Sequence, residues 1–403
     1  MSDERNWGGL RRALMHSSTF ALLAAVVACG GSGSTTSTSG SANTTALAKA
    51  QSVQSIALKG GVMAQPWATG DLVAASASSW NGPTSLPAPV SGKRILIANN
   101  CGPACDIIYT TVKKYSAPWG WTVETLPDGT GAITQGQQLF DTALSRKPDA
   151  ILAVGIPAAT VGQQLSKAKA AGIFTLVDGD ASSGGSPDYD SYRTYPWPLL
   201  QRVSFNYMIA DSKGKANVLY ITTSQQKAFV DAIAPIQDLV KQCGTCSFTP
   251  IDMPFVDTFD PVKVDSQITA ALNSNPNINY VFFTCDCMNF AAGLQAIRRL
   301  GKQDKIKVAA SVASPPGIAA TARGDLTFDT GPPTELASLG ELTQLRLLFA
   351  GKQALPGDQL GYFAHTFTKD SATGLSDNTA IDGKLNGFFN YRSYYYKALG
   401  IPG

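Results

Sequence analysis

Histidine is nearly absent from this chain, with two among 403 residues. His16 falls in an N-terminal leader, so the remainder holds His365 alone. A serine–histidine pair or a histidine-centred metal site therefore has no second residue to draw on. Neither a Gly-x-Ser-x-Gly elbow nor a glycine-rich phosphate loop occurs. Ser166-x-x-Lys169 and Ser212-x-x-Lys215 have serine–lysine spacing but lack the Lys-Thr-Gly and Ser-Asp-Asn partners of that chemistry. These absences argue against an enzyme and leave an exported hydrolase as a distant third reading. Charge is scarce as well, at 15% of residues, with a net charge of +3 and no basic run. Nucleic acid is thereby excluded as a partner. No apolar stretch reaches the ~20 residues that span a bilayer.

What is present begins with an export signal. Arg11 and Arg12 precede an apolar run over 20–28, which ends in Val26-Val27-Ala28 and is followed by Cys29. A basic region, a short apolar core and small residues before a cleavage point define such signals. The cysteine after the small residues resembles the bacterial lipobox, in which that residue carries lipid and begins the mature protein. An ordinary signal peptide is the alternative, and the arginine pair is an incomplete twin-arginine motif. The expected organisation starts with a lipoprotein signal peptide over 1–28. A flexible, lipid-anchored tether over 29–60 follows, because 30–45 contains no large apolar side chain that could offset chain entropy.

Seven cysteines are present. If Cys29 carries lipid, six remain in three close pairs: Cys101 and Cys105, Cys243 and Cys246, and Cys285 and Cys287. Close pairs in an exported chain suggest local disulfides, although six cysteines allow fifteen connectivities. Zinc at Cys243-x-x-Cys246 would need two further ligands, so no metal and no cofactor are expected.

From residue 93 the pattern alternates β and α. Strand-like runs at 93–100, 121–129, 149–155 and 173–180 are separated by helical spacing at 106–115, 135–146 and 157–171. After a Gly/Ser/Pro/Tyr-rich stretch at 183–198 the alternation restarts. Strands are predicted at 215–223, 247–253, 278–284, 306–313, 326–330 and 361–367. Helices are predicted at 199–212, 225–242, 260–275, 290–300, 318–322 and 334–350. Two α/β blocks of this kind predict two doubly wound, Rossmann-like lobes with parallel sheets.

The segment KPDAILAVGIPAATVGQQLSKAKAAGIFTLVD (147–178) resembles the first lobe of type I periplasmic sugar-binding proteins. ADSKGKANVLYITT (210–223), PNINYVFFTCDC (276–287), GLQAIRRLG (293–301) and ARGDL (322–326) resemble the second lobe. WNGPTSLPAPVSGKRI (80–95), GWTV (120–123) and KQCGTC (241–246) are similar to an actinobacterial lipoprotein subgroup of these ribose-binding-protein-like solute carriers. The resemblance spans about 80–367. Phe174 and the sequence Asp286-Cys287-Met288-Asn289 depart from the family pattern, and these departures bear on the ligand more than on the fold. The resemblance implies lobes joined by a three-strand hinge, crossing near 185–198, 325 and 355. It assigns 61–92 to an extension packing on lobe 1, 93–190 and 326–355 to lobe 1, and 191–325 and 356–403 to lobe 2. It further implies an extracytoplasmic, monomeric protein on the outer face of the cytoplasmic membrane. Such a protein would capture a small polar solute, a sugar first of all, and hand it to an ABC permease. A lipoprotein that presents a sugar or small aromatic to a membrane receptor is the alternative.

Ligands of open parallel sheets bind beyond the carboxyl ends of the strands. Those ends carry Asn99, Asn100, Asp128, Gly155, Asp178 and Asp180 in the first block. In the second they carry Thr222, Thr223, Asp286, Ser311 and Asp329. Amides, hydroxyls and carboxylates of this kind share hydrogen bonds with sugar hydroxyls. Tyr109, Trp119 and Phe255 lie near strand ends and are candidates to stack on sugar C–H faces, whereas Trp121 begins a strand and belongs to the core.

Overall fold

The computed structural model describes residues 39–64, 70–101, 105–179, 188–193 and 196–402. The expected leader, Cys29 and Asp180 lie outside the described residues. The chain opens with helix α1 (Ser39–Ala57) and strands β1 (Gly61–Met63) and β2 (Leu72–Ala74). The expected tether to residue 60 is corrected here from residue 39 onward. Ala50, Val53 and Ala57 recur at helical spacing, and all three are buried.

Lobe 1 follows as β3 (Arg94–Asn99), α2 (Asp106–Ser116), β4 (Thr122–Thr125), α3 (Ile133–Ser145), β5 (Ala150–Val154), α4 (Gly162–Ala170), β6 (Phe174–Asp178) and β7 (Ser191–Arg193). Its sheet order is β4-β3-β5-β6-β7, parallel throughout. Every residue of β5 is buried, as a central parallel strand covered on both faces requires. Asp149, in the Lys-Pro-Asp phrase, fixes the start of β3. Its carboxylate accepts the Arg94 backbone N–H at 2.8 Å and pairs with Lys93 at 3.0 Å.

Lobe 2 is built from α5 (Trp197–Asp211), β8 (Asn217–Thr222), α6 (Lys227–Cys243), β9 (Ser247–Asp252), α7 (Pro261–Ser274), β10 (Tyr280–Phe283), α8 (Phe290–Arg299), β11 (Lys307–Ser311), α9 (Pro315–Arg323) and β12 (Phe328–Gly331). Asp260 starts α7 by accepting the Val262 N–H at 2.9 Å, with Pro261 in the first turn. The chain then runs through α10 (Thr334–Phe349), β13 (Phe363–Phe367), α11 (Lys369–Ala372), α12 (Asn378–Phe388) and α13 (Tyr391–Leu399). The second sheet has the order β2-β1-β13-β12-β11-β10-β8-β9. Strands β8 to β12 are parallel, while β13, β1 and β2 add an antiparallel edge. Phe282 and Phe283, on opposite faces of β10, are both fully buried, so the strand anchors core on each side.

Several expected boundaries move. Strand β12 belongs to lobe 2 because it pairs with β11, so lobe 1 regains the chain at α10 rather than at residue 326. Strand β7 belongs to lobe 1 because it pairs with β6. The lobes are therefore connected between Arg193 and Trp197, between Gly331 and Thr334, and between α10 and β13. The segment 61–92 does not pack on lobe 1 alone: β1 and β2 extend the lobe 2 sheet, and only its end reaches lobe 1, where Trp121 Nε1 donates to the Val90 carbonyl at 2.7 Å. The last two helices straddle both lobes. Phe389 stacks on Phe363 of β13, while Tyr396 and Arg392 bond to Tyr115 and Glu335 of lobe 1.

Candidate functional site

The strand orders place a topological switch in each lobe, between β3 and β5 and between β8 and β10. There the helices leave in opposite directions and open a crevice at the carboxyl ends. The two crevices face one another and form one cavity of about 930 Å³ including its mouth. From lobe 1 come Ile107, Ile108 and Val154, the Cys101–Cys105 disulfide, and Asp178 at the end of β6. From lobe 2 come Trp197, Phe229 and Phe255, Gln226, and Asp286 between the bonded Cys285 and Cys287. Val312, Ser314 and Pro315 complete that wall, and Thr334 and Asn378 border it beside the hinge. Cys243 and Cys246 are bonded far along the chain from the cleft, at the end of α6. Among the described residues no cluster of His, Cys, Asp and Glu could hold a metal ion.

The lobes meet at the cleft rim. Gly131 of lobe 1 has φ +86°, and a Cβ there would lie 2.9 Å from the Phe255 ring of lobe 2. A smaller cavity of about 610 Å³ adjoins the cleft, shares Gly155, Gln226 and Phe255 with it, and includes Asn100.

Behind Asp286 stands Asp329. Asp286 Oδ2 accepts the Ser314 N–H at 2.6 Å, and Asp329 Oδ1 accepts the Ala313 N–H at 3.0 Å. Burial is the largest cause raising both carboxyls above the usual range, and the neighbouring Asp286 charge raises Asp329 further. Two buried carboxyls set side by side disfavour double ionisation, because burial and the like charge both penalise it. The loop they fasten carries Val312 at φ 109° and Ala313 at φ 59°. A β-branched residue in that region is strained, and the two carboxylates hold it so that Val312, Ser314 and Pro315 face the cleft.

Of the residues proposed from sequence, Gly155, Asp178, Phe255 and Asp286 line the cleft together, Asn100 lines the adjoining cavity, and Asp329 supports Asp286 without reaching the cleft wall. The others do not line it. Asn99 donates to Asp128 at 2.9 Å and accepts from the Cys101 N–H at 2.9 Å, so this pair shapes the loop after β3. Tyr109 points along α2, where its hydroxyl accepts from Lys113 at 3.0 Å. Thr222 and Thr223 are buried beside the switch of lobe 2, and Thr223 Oγ1 accepts the Gln225 N–H at 3.3 Å. Ser311 bridges Gln201 and the Thr284 carbonyl. Trp119 stands against Trp121 and the Arg346 guanidinium, inside lobe 1. The physical reason is common to most of them: a strand-end polar side chain first satisfies the backbone of its own turn.

Trp197, Phe229, Gln226 and the α9 entry were not singled out in the sequence. Trp197 had one signal, a Trp-Pro step at the end of the crossover stretch. Gln226 had another, its place just past the end of β8.

A sequence family described as periplasmic binding protein domain matches residues 104–339. No curated protein matches the sequence. Among solved structures, similar folds include an ABC sugar transporter subunit from Rhodobacter sphaeroides 2.4.1, 18% identical over 70% of this chain and 99% of that one, TM-score 0.58. A solute-binding protein from Agrobacterium vitis with bound allitol is 19% identical over 70% and 97%, TM-score 0.58. Another from Bacillus halodurans C-125 with bound myo-inositol is 15% identical over 73% and 98%, TM-score 0.58. These relatives are solute-binding proteins rather than enzymes. With a match over more than half its length, two switch-point lobes and one crevice between them, the chain belongs to the periplasmic binding protein family, with the type I fold of ABC sugar transporter solute-binding proteins.

Proposed function

We propose that this protein captures an uncharged small solute between its lobes, closes over it, and delivers it to the permease of an ABC importer from a lipid anchor on Cys29. The observation that carries the reading is the cleft itself. Both lobes present their carboxyl strand ends to one cavity, and no lysine or arginine lines it among the described residues. A site without cations gives no purchase to phosphates or carboxylates. The solutes named in the similar structures, allitol and myo-inositol, are uncharged polyols, which supports a sugar or related ring as the ligand class. Closure by Phe255 against Gly131 would complete the surface a permease recognises, linking occupancy to delivery through a population shift.

Two experiments test this. A panel of neutral sugars, cyclic polyols and ring alcohols should contain a solute that raises the melting midpoint with concentration and reduces the radius of gyration in scattering. A panel in which no neutral solute does either would overturn solute capture. For the anchor, Cys29→Ala should move the protein from the membrane fraction to the medium or leave the precursor uncleaved, and undiminished membrane retention of processed protein would refute it.

A further inference from the structure

The cleft has polar residues, but nearly all are engaged with the protein itself. Ser314 donates its N–H to Asp286 Oδ2 at 2.6 Å. Thr334 Oγ1 donates to Asp382 at 2.9 Å and contacts Asn378 Oδ1 at 3.3 Å. Asp178 also holds an interaction within the chain. Gln226 Oε1 and Asp286 Oδ1, both at the cleft, are buried and have no hydrogen-bond partner. Both are acceptors. Gln226 lies four residues past β8 and Asp286 three past β10, and these strands are hydrogen-bonded neighbours, so both acceptors belong to one wall of the cleft.

The rest of the wall is apolar. Trp197 and Phe229 meet edge to face with centroids 4.8 Å apart, and Phe255 closes the rim. Opposite them stand Ile107, Ile108 and Val154, and each lobe adds a disulfide. A fully hydroxylated ring would set hydroxyls against these surfaces, and each one left unpaired would lose its hydration without a replacement bond. A ring with two apolar faces and neighbouring donors on one edge would leave nothing unpaired.

We propose that the cleft takes an uncharged aromatic or alicyclic vicinal diol, whose ring lies between the Trp197–Phe229 wall and the lobe 1 aliphatic side chains and whose hydroxyls donate to Gln226 Oε1 and Asp286 Oδ1. This rests on the reading of the cleft as a solute site and narrows its ligand class. The defining feature is the pairing of two unpartnered acceptors on one wall with surrounding surfaces that are mostly aromatic and aliphatic.

The test is calorimetric titration of the full-length protein with catechol, cis-cyclohexane-1,2-diol, myo-inositol and glucose. Saturable binding of either diol, at least tenfold tighter than both polyhydroxylated rings and with a negative heat-capacity change, is the expected result. Gln226→Leu, which keeps the backbone contacts of that residue, should weaken diol binding about tenfold or more without altering the circular dichroism spectrum. Tighter binding of inositol or glucose would overturn the ligand class while leaving solute capture standing. Absence of saturable diol binding, or an unchanged diol affinity in Gln226→Leu, would overturn it as well. If, in addition, no solute of any neutral class shifts the melting midpoint, solute capture itself falls.

Discussion

The carboxyl groups of Asp286 and Asp329 converge beyond the ends of β10 and β12 on Gly317 of α9, where a Cβ would overlap Oδ2 of both. Asp286 faces the cleft and Asp329 faces the protein. One residue thus presents an acceptor to a ligand, and the other fixes the loop that presents it.

This pair gives the fold a defined pH response. Carboxyls raised by burial bind protons in the folded state that the unfolded chain has released, so stability falls as pH rises above the ordinary carboxylate range. Asp382, pushed up to about 7 by burial, acts with the same sign. Asp329→Asn removes the like-charge contact and keeps the shape and the Ala313 acceptor. It should raise the melting midpoint at pH 8 by the equivalent of roughly 1–3 kcal/mol and flatten the profile between pH 5 and 8. A variant with the wild-type slope would show that the pair is not the source.

His365 acts in the opposite direction. Its ring is buried, stacks on Phe388 at 4.4 Å, and finds no partner for either nitrogen. Burial lowers its pKa to about 3, with the Lys384 charge adding to the effect. The unfolded state therefore takes up a proton that the folded state refuses, and stability is lost as pH falls from about 6.5 toward 3. At pH 5 the loss is about 2 kcal/mol. His365→Phe should raise the midpoint more at pH 5 than at pH 8. An equal shift at both would assign the gain to packing alone.

Closure depends on the small residue at the rim. Gly131→Ala would set a methyl group against the Phe255 ring and should weaken binding of whichever solute is identified about tenfold, with less compaction in scattering. Its φ of +86° also penalises any side chain by about 1 kcal/mol. Gly92→Ala controls for that term, since Gly92 has φ +72° and open space around it. Equal effects of the two variants on affinity would remove the Phe255 contact from the closing mechanism.

Helix α1 is part of the folded body. Arg202 of α5 pairs with Asp71 at 3.1 Å, Lys49 of α1 pairs with the same carboxylate at 3.2 Å, and Val53 is buried beside them. Burial of Val53 alone contributes about 1.5–3 kcal/mol. Deletion of residues 1–38 should leave the midpoint within about a degree of the wild type, whereas deletion of 1–58 should lower it by several degrees. Equal midpoints would return 39–57 to the role of tether.

The sequence alone determined the alternation of β and α and, through it, the two switch-point lobes. Buried parallel strands such as β5 and β10 are continuous apolar runs, and helices such as α7 announce their own start with Asp260 and Pro261. Those signals are local, and local chemistry is enough to set them. Asp178 and Asp286 were legible for the same reason, as carboxylates at strand ends. Tertiary structure decided the rest of the site. Whether Asn99, Asp128 or Thr223 faces a ligand depends on which backbone groups nearby need a partner, and that is settled only when the loops are closed. Trp197, Phe229 and Val154 look like any core residues in the sequence, because an apolar side chain carries no mark of whether it will meet another side chain or a cavity. Their meeting across the cleft depends on two lobes placed by three connections remote in the chain, a relation that no periodicity within either lobe encodes.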